Sequence, residues 1–481
     1  MRANRIRVDQ INFLMITDCN MKKMINEHGT AIVTGVIEAE DESKCLALAT
    51  SESYLQIYAV GSSGEACIFH GFIEDIEVYS GDIKTVTIKL ATGTRLMDLE
   101  TRTRTFQNVG MTYQAVLKSN EALNGDIGAQ SKFLEPGSKT IENLIVQYKE
   151  TDWEFAKRMA SCLKTFIRPE YKLSGSKYYV GLNTSQAAKG KPKDIHNYTI
   201  KKIVNQYEIQ KREYGLPVSS EDAFLYQFDS REIFELGDCV DIGNGKTLYV
   251  YEVDSFYEGE ELMNRYFLRT RNGFLIGTYY NHKIIGASLE GTIAQVSRDQ
   301  VGVNLSVDKN YSDHGSKLFP YSTVYSSPDG TGWYCMPENG DQVRLYFPTE
   351  KEKDAYVISS VHLQVSDGAS SSSGGPAPRS DPSNKSIKNS AGKEILFTPT
   401  SLSLINPAIG SIVLDDSDGI TIETNKSIHF KAGEFVEMHS MNKNVNVSAS
   451  DALTIAQGST RLILNKNVLI KGAKVKLQEK G

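Results

Sequence analysis

From Ile395 to the C-terminus, apolar pairs separated by one residue recur with short polar steps between them. They are Ile395/Phe397, Leu402/Leu404, Ile412/Leu414, Ile420/Ile422, Ile428/Phe430, Val436/Met438, Val445/Val447, Leu453/Ile455, Leu462/Leu464, Val468/Ile470 and Val475/Leu477. Between Ile412 and Leu462 the first members of successive pairs lie eight or nine residues apart. A local period of two is that of a strand, and the longer period is that of a strand of about four residues plus a turn, repeated. The turns carry residues that tolerate or locally bond a left-handed backbone, such as Asp415-Asp416-Ser417-Asp418-Gly419 and Asn442-Lys443-Asn444. With two inward apolar residues per strand, such an array cannot enclose a core alone, and its open edges would aggregate. A single-chain coil needs roughly 20 residues per turn, so repeats of this length favour several chains around a shared axis, an intertwined trimer. The expected axial core is Ile412, Leu414, Ile420, Ile422, Ile428, Phe430, Val436, Met438, Val445, Val447, Leu453, Ile455, Leu462 and Leu464.

Composition changes ahead of this array. Every Tyr, Trp and Cys precedes Ser359, and the only later aromatics are Phe397, Phe430 and Phe435. Residues 366–385, rich in Ser and Gly and holding Pro376-Ala377-Pro378, read as a linker. Residues 1 to about 100 read as β, with alternating stretches Ala31–Ile37, Tyr54–Val60 and Val86–Leu90. A helical insertion over about 110–200 follows, with helices expected at Thr112–Leu117, at Thr140–Tyr148 and after the capping box Thr151-Asp152-Trp153-Glu154. The last would bury Phe155, Ala156, Met159, Cys162 and Leu163 and stop at Pro169. The chain then returns to β, with strands expected at Val240–Ile242, Leu248–Val253 and Tyr266–Arg271. Residues 288–365 hold enough short strands and turns for a five-stranded OB-type barrel.

Chemistry is sparse. The 53 Lys+Arg against 59 Asp+Glu leave a net charge of −6, without the basic field that nucleic acid requires. The apolar run Phe13–Ile16 is too short for a signal peptide, and no run of about 20 apolar residues exists, so the chain is expected to start in the cytoplasm. Six dispersed cysteines read as buried thiols, and eight scattered histidines include no HExxH, so neither a cofactor nor a metal is expected. Asn244-Gly245-Lys246-Thr247 imitates the end of a phosphate-binding loop, but Val240 stands where its first Gly is needed, so it reads as a hairpin turn. Asp415–Gly419 lacks the first and last ligands of a calcium loop. No catalytic arrangement assembles from local signals.

Two segments carry a resemblance. Gln147–Ser161, QYKETDWEFAKRMAS, resembles the helix-opening motif of VgrG-type spikes and related phage-tail hubs, with Thr151, Asp152, Trp153 and Phe155 at its centre. Gly332–Phe347, GWYCMPENGDQVRLYF, resembles the OB-domain motif of the same family through Trp333, Pro337, Gly340 and Asp341. The resemblance implies an α+β hub over 1–287 with β-barrel domains, an OB collar over 288–365, the linker and a triangular trimeric β-helix needle over 386–481. It further implies a homotrimer docked on the hexameric ring of an inner tube and on baseplate proteins, with a PAAR-type tip protein or an effector at the needle. Such a protein is structural. It is expelled on sheath contraction and contacts the target membrane transiently. The short linker leaves no room for a muramidase, no effector domain is expected after Gly481, and Val301-Gly302-Val303-Asn304-Leu305 replaces a basic strand common in the family. The alternatives are a cell-wall or polysaccharide hydrolase with a glycan-binding array, and an OB-fold nucleic-acid-binding protein with a trimerising tail. The first would need acidic pairs and aromatic platforms on the array, and the second a basic groove.

Overall fold

A computed structural model describes residues 5–50, 53–62, 64–185, 188–189, 197–243, 245–258, 261–308, 316–360, 381–464 and 474. The chain divides into two compact units, Met1–Gln364 and Val365–Gly481. The class is mainly β with a helical insertion, and its ladders leave every described sheet open.

An eleven-stranded sheet dominates the first unit. Its first part contains Phe13–Met24, Thr30–Ile37, Tyr54–Gly61, Gly64–Ser80 and Lys84–Ala91, covering all three stretches expected from alternation. Its second part contains Phe224–Ser230, Leu248–Glu258 and Glu261–Arg269, and the parts join where Asn20–Met24 pairs with Glu252–Phe256. Alternation puts Ala31, Val33 and Ile37 of one strand into a core with Ile57, Ile88, Leu248 and Tyr266. The strand expected at Tyr266–Arg271 ends at Arg269, because Thr270 caps a short helical turn at Arg271–Phe274. Cys239–Val240 pairs antiparallel with Leu248 and Tyr249, so the false phosphate loop joins two paired strands; its Asn244 lies outside the described residues.

Within the insertion, Thr112 caps the helix Tyr113–Leu123 and Thr151 opens the helix Asp152–Cys162. The second cap is reciprocal: the Thr151 hydroxyl accepts from the Glu154 amide at 3.1 Å, and the Glu154 carboxylate accepts from the Thr151 amide at 3.1 Å. This helix ends before Pro169, at Cys162, and Lys164 takes φ 61°. The helix expected at Thr140–Tyr148 is instead the start of the strand Ile145–Thr151, paired with Thr101–Phe106. The physical reason is burial on both faces: Ile145 enters the core of the insertion, whereas Leu144 and Val146 enter that of the next sheet. A strand covered on both sides loses the period of two, and its apolar run imitates a helical face.

Residues 288–358 form a five-stranded sheet ordered Leu318–Pro320, Gln300–Leu305, Ser288–Ser297, Gln342–Tyr346 and Tyr356–Ile358. Its outer strands approach at one isolated parallel bridge, Tyr321 to Val357. The sheet is tied to the insertion by the Thr105 amide donating to Asp308 at 2.8 Å, by Gln107 Nε2 donating to the Val303 carbonyl at 3.1 Å and by Arg158 against Glu352 at 2.8 Å.

The second unit opens with five antiparallel strands in sequence order, Lys385–Lys388, Glu394–Phe397, Ser401–Asn406, Gly410–Asp415 and Gly419–Thr424. A hairpin of Leu453–Gln457 and Thr460–Leu464 follows later. Residues 425–452 contain no strand, so the pairs Ile428/Phe430, Val436/Met438 and Val445/Val447 have no ladder partner within the described residues. Val468/Ile470, Val475/Leu477 and linker residues 366–380 lie outside the described residues.

Candidate assembly surfaces

Register in the second unit assigns a face to each repeat residue that lies in a ladder. Ile387, Ile395, Leu404, Ile412 and Ile422 pair successively across the five strands, and Phe397, Leu402, Leu414 and Ile420 form the adjacent row. Directly paired residues point to the same side of a sheet, and the rows are two residues apart along each strand, so both stand on one face. These two rows are apolar, and Lys385 at one corner and the third row, Asn406, Gly410 and Thr424, add polar groups to the same face. The opposite face carries Ser386, Leu396, Ser403, Val413 and Thr421. Ile420 is 71% exposed and Ile422 47%, so the apolar face is uncovered among the described residues. In the later hairpin, Leu453 pairs with Leu464 and Ile455 with Leu462, again on one face. Phe430 and Met438, which have no strand, are exposed as well. Leu402, Leu404, Ile395 and Phe397 complete the face, and the repeat list already contains them.

The hub motif is buried. Thr151 caps, Trp153 packs on His28 with ring centroids 4.7 Å apart and edge-on to Tyr178 at 5.8 Å, and Phe155 stacks on Phe106 at 5.9 Å. Asp152 accepts from Arg102 Nε at 2.9 Å, from Asn124 Nδ2 at 2.7 Å and from Gln147 Nε2 at 2.9 Å. Its carboxylate therefore ties two strands and the other helix to the first turn of its own. Beside it, the buried Arg158 grips Glu150 through Nε at 2.8 Å and Nη2 at 2.7 Å and donates from Nη2 to the Val146 carbonyl. Burial opposes the Arg158 charge, but Glu352 and Glu150 outweigh it and hold the guanidinium fully protonated.

The OB-type motif divides. Pro337 is buried, whereas Trp333 is 60% exposed. Asp341 closes the turn by accepting from the Glu338 amide at 2.8 Å, and Gly340, at φ 94°, donates to the Ile293 carbonyl at 2.8 Å. Only a residue free of a Cβ adopts that backbone without strain. Asp341 and Gly340 thus set where Gln342–Tyr346 enters the sheet.

Among the described residues, no group of three or more His, Cys, Asp or Glu side chains is placed to hold a metal, and no helix is long and apolar enough to cross a membrane. Cys19, Cys45 and Cys239 are buried as expected, Cys67 and Cys162 are half-buried, and Cys335 is exposed. Burial pushes the Cys162 thiol up, so it stays protonated at neutral pH.

No family model matches this sequence, and no curated protein matches it. Solved structures do match. The E. coli c3393 protein, described as a type VI secretion component structurally similar to the T4 bacteriophage tail proteins gp27 and gp5, aligns at TM-score 0.51 and 11% identity, over 73% of this chain and 99% of its own. A chain of the Francisella PdpA-VgrG complex, half-lidded, aligns at TM-score 0.53 and 11% identity, over 88% of each chain. This chain shares its fold with the type VI secretion component c3393 and with a chain of the PdpA-VgrG complex.

Proposed function

We propose that this chain is the structural hub and spike of a contractile injection apparatus, acting as a homotrimer and mechanically rather than as an enzyme. In this reading residues 1–287 are the hub on the inner-tube ring, 288–365 an OB-type collar, 366–385 a linker and 386–481 the needle. The needle bears a PAAR-type tip protein or an effector, and sheath contraction drives it through the target envelope.

The observation that carries the reading is the pair of apolar rows on one exposed face of the second unit. One sheet cannot cover its own face, but three copies with those faces turned inward enclose a dry prism. Burying each such side chain stabilises the assembly by roughly 1.5–3 kcal/mol. Residues 425–452, which hold no strand among the described residues, then pair with strands of the neighbouring copies. The fold likeness to a chain of the PdpA-VgrG complex supports the same arrangement.

The test is the absolute mass of the full-length protein by light scattering behind a sizing column. The expected species is an elongated particle near three times 53.4 kDa. Ile422→Asp places a charge on the enclosed face and is expected to reduce the trimer to monomer, since a buried unpaired carboxylate costs several kcal/mol. A wild-type monomer, or an Ile422→Asp trimer of unchanged stability, would sink the reading.

A further inference from the structure

The strands Arg5–Val8 and Phe13–Met24 follow one another in the chain without pairing to each other. Arg5–Val8 is an edge of the eleven-stranded sheet, with a ladder only to Tyr54–Gly61. The register continues past Val8 and Ile57, where the Asp9 amide donates to the Gln56 carbonyl at 2.8 Å. Backbone groups alternate in direction along a strand, so those of Ile6 and Val8 face away from that ladder. On this free side the Ile6 amide donates to a side chain, the Tyr257 hydroxyl, at 2.8 Å. The Val8 amide meets no acceptor among the described residues, although Val8 is buried. A buried amide left so costs about as much as a lost hydrogen bond. Opposite, Phe13–Cys19 is laddered to Thr30–Ile37 on one side only, because pairing with Leu248–Glu258 begins at Asn20.

Between the two open edges lies a cleft of about 760 Å³. Its floor is core, formed by Ile6, Val8 and Ile11, all buried. Its rim is polar and exposed, formed by Arg5, Gln10 and Asn12. Arg7 is engaged by Glu65 at 2.8 Å and by Asp9 at 3.7 Å, whereas Arg5 makes no ion pair among the described residues. The cleft therefore combines two unpaired strand edges, an apolar floor and one uncompensated cation.

We propose that this cleft receives an extended segment of another protein by strand addition, with alternate apolar side chains on the floor and an acidic side chain beside Arg5. Unpaired N–H and C=O groups on both walls recognise an extended backbone rather than a compact ligand. The alternation of a strand matches the buried floor and the exposed rim, and Arg5 selects the charge. A described strand of a second copy does not fit, because each already has a ladder on one side and the cleft takes a strand free on both. The longer stretches of this chain outside the described residues do not supply an excess of acid. Residues 1–4, 190–196, 309–315, 361–380, 465–473 and 475–481 each hold at least as many Lys and Arg as Asp and Glu. The occupant thus belongs to a different chain, which this protein would tether through a tail. Trimerisation is not required for it.

The experiment measures binding of fluorescent peptides of about eight residues to the full-length protein by anisotropy. In each peptide valine alternates with aspartate, with threonine or with lysine. The aspartate peptide is expected to bind about tenfold more tightly than the lysine peptide, and Arg5→Glu to reverse that order. Arg5 is exposed, and circular dichroism checks that the variant folds. Methylating alternate backbone nitrogens of the aspartate peptide keeps its side chains and is expected to weaken binding about tenfold. Binding is also expected to slow hydrogen exchange about tenfold at Val8 and within residues 13–19, with Thr199–Lys202, at the opposite edge of the large sheet, unchanged. Equal binding of the methylated and unmethylated peptides would overturn strand addition. Binding of dodecanoate without binding of any peptide would make the cleft a site for amphiphiles and overturn it too. Protection of the same amides in the free protein that rises with its concentration would place a second copy in the cleft and overturn the occupant. Failure of every peptide to bind a trimeric wild type would overturn the assignment and leave the spike reading standing.

Discussion

Asp152 shows what one side chain does when the chain returns to it from several directions. Its carboxylate is 2% exposed and accepts from Arg102, Asn124 and Gln147, which lie on a strand, at a helix end and on a second strand. Taking a carboxylate out of water costs several kcal/mol, and such an array of donors offsets that cost. Asp152→Asn keeps the shape but places an amide donor against guanidinium donors and removes the charge that holds them. The expected loss is about 3 kcal/mol of stability, read as a lower urea midpoint at unchanged slope, with the particle mass in solution unchanged. An unchanged midpoint would mean that Arg102 finds water instead. Thr151 and Glu154 were legible in sequence because a cap is a local device, with partners three residues apart. The role of Asp152 was legible only as a motif letter. Arg102 and Asn124 reach it through the tertiary fold, and no local spacing announces them.

At the scale of elements, the period of two identified strands wherever one face is wet, and failed where both are dry. Thr30–Ile37 alternates in burial and was legible; Ile145–Thr151 is packed on both sides and read as helix. In the second unit the repeat located six strands, whereas its pairs Ile428/Phe430, Val436/Met438 and Val445/Val447 hold no strand among the described residues and the strand Lys385–Lys388 lies outside it. Gly410 opens the fourth strand of the five at φ 150°, and a Cβ there would meet the Glu423 carbonyl oxygen on the neighbouring strand. Neither side chain rearrangement nor rotation relieves a clash with backbone, so Gly410→Ala is expected to prise Gly410–Asp415 from Gly419–Thr424. Hydrogen exchange should show the amides of both strands losing at least tenfold in protection, with the amides of the first unit unchanged. Wild-type protection across both strands would refute this register.

For the whole molecule, the division at Gln364/Val365 separates two kinds of stability. The first unit has its own buried cores, whereas among the described residues the second displays its apolar face to solvent. Under the trimeric reading, only the second unit depends on protein concentration, because association adds stability by mass action. Calorimetry of the full-length protein is therefore expected to show two transitions, of which only the needle transition rises across a hundredfold concentration series. Two concentration-independent transitions would place the closing partner within the chain. The sequence by itself determined the β-rich class, the change of character near residue 360, the strands at the repeat pairs on either side of residues 425–452 and the capping box, because each depends on neighbours a few positions apart. Tertiary structure decided that Ile145–Thr151 is a strand between two cores, that Asp152 gathers donors from three elements and that Arg5–Val8 and Phe13–Met24 leave open edges on one cleft. These depend on which distant segments pair, and pairing is settled by backbone hydrogen bonds and burial across the whole fold.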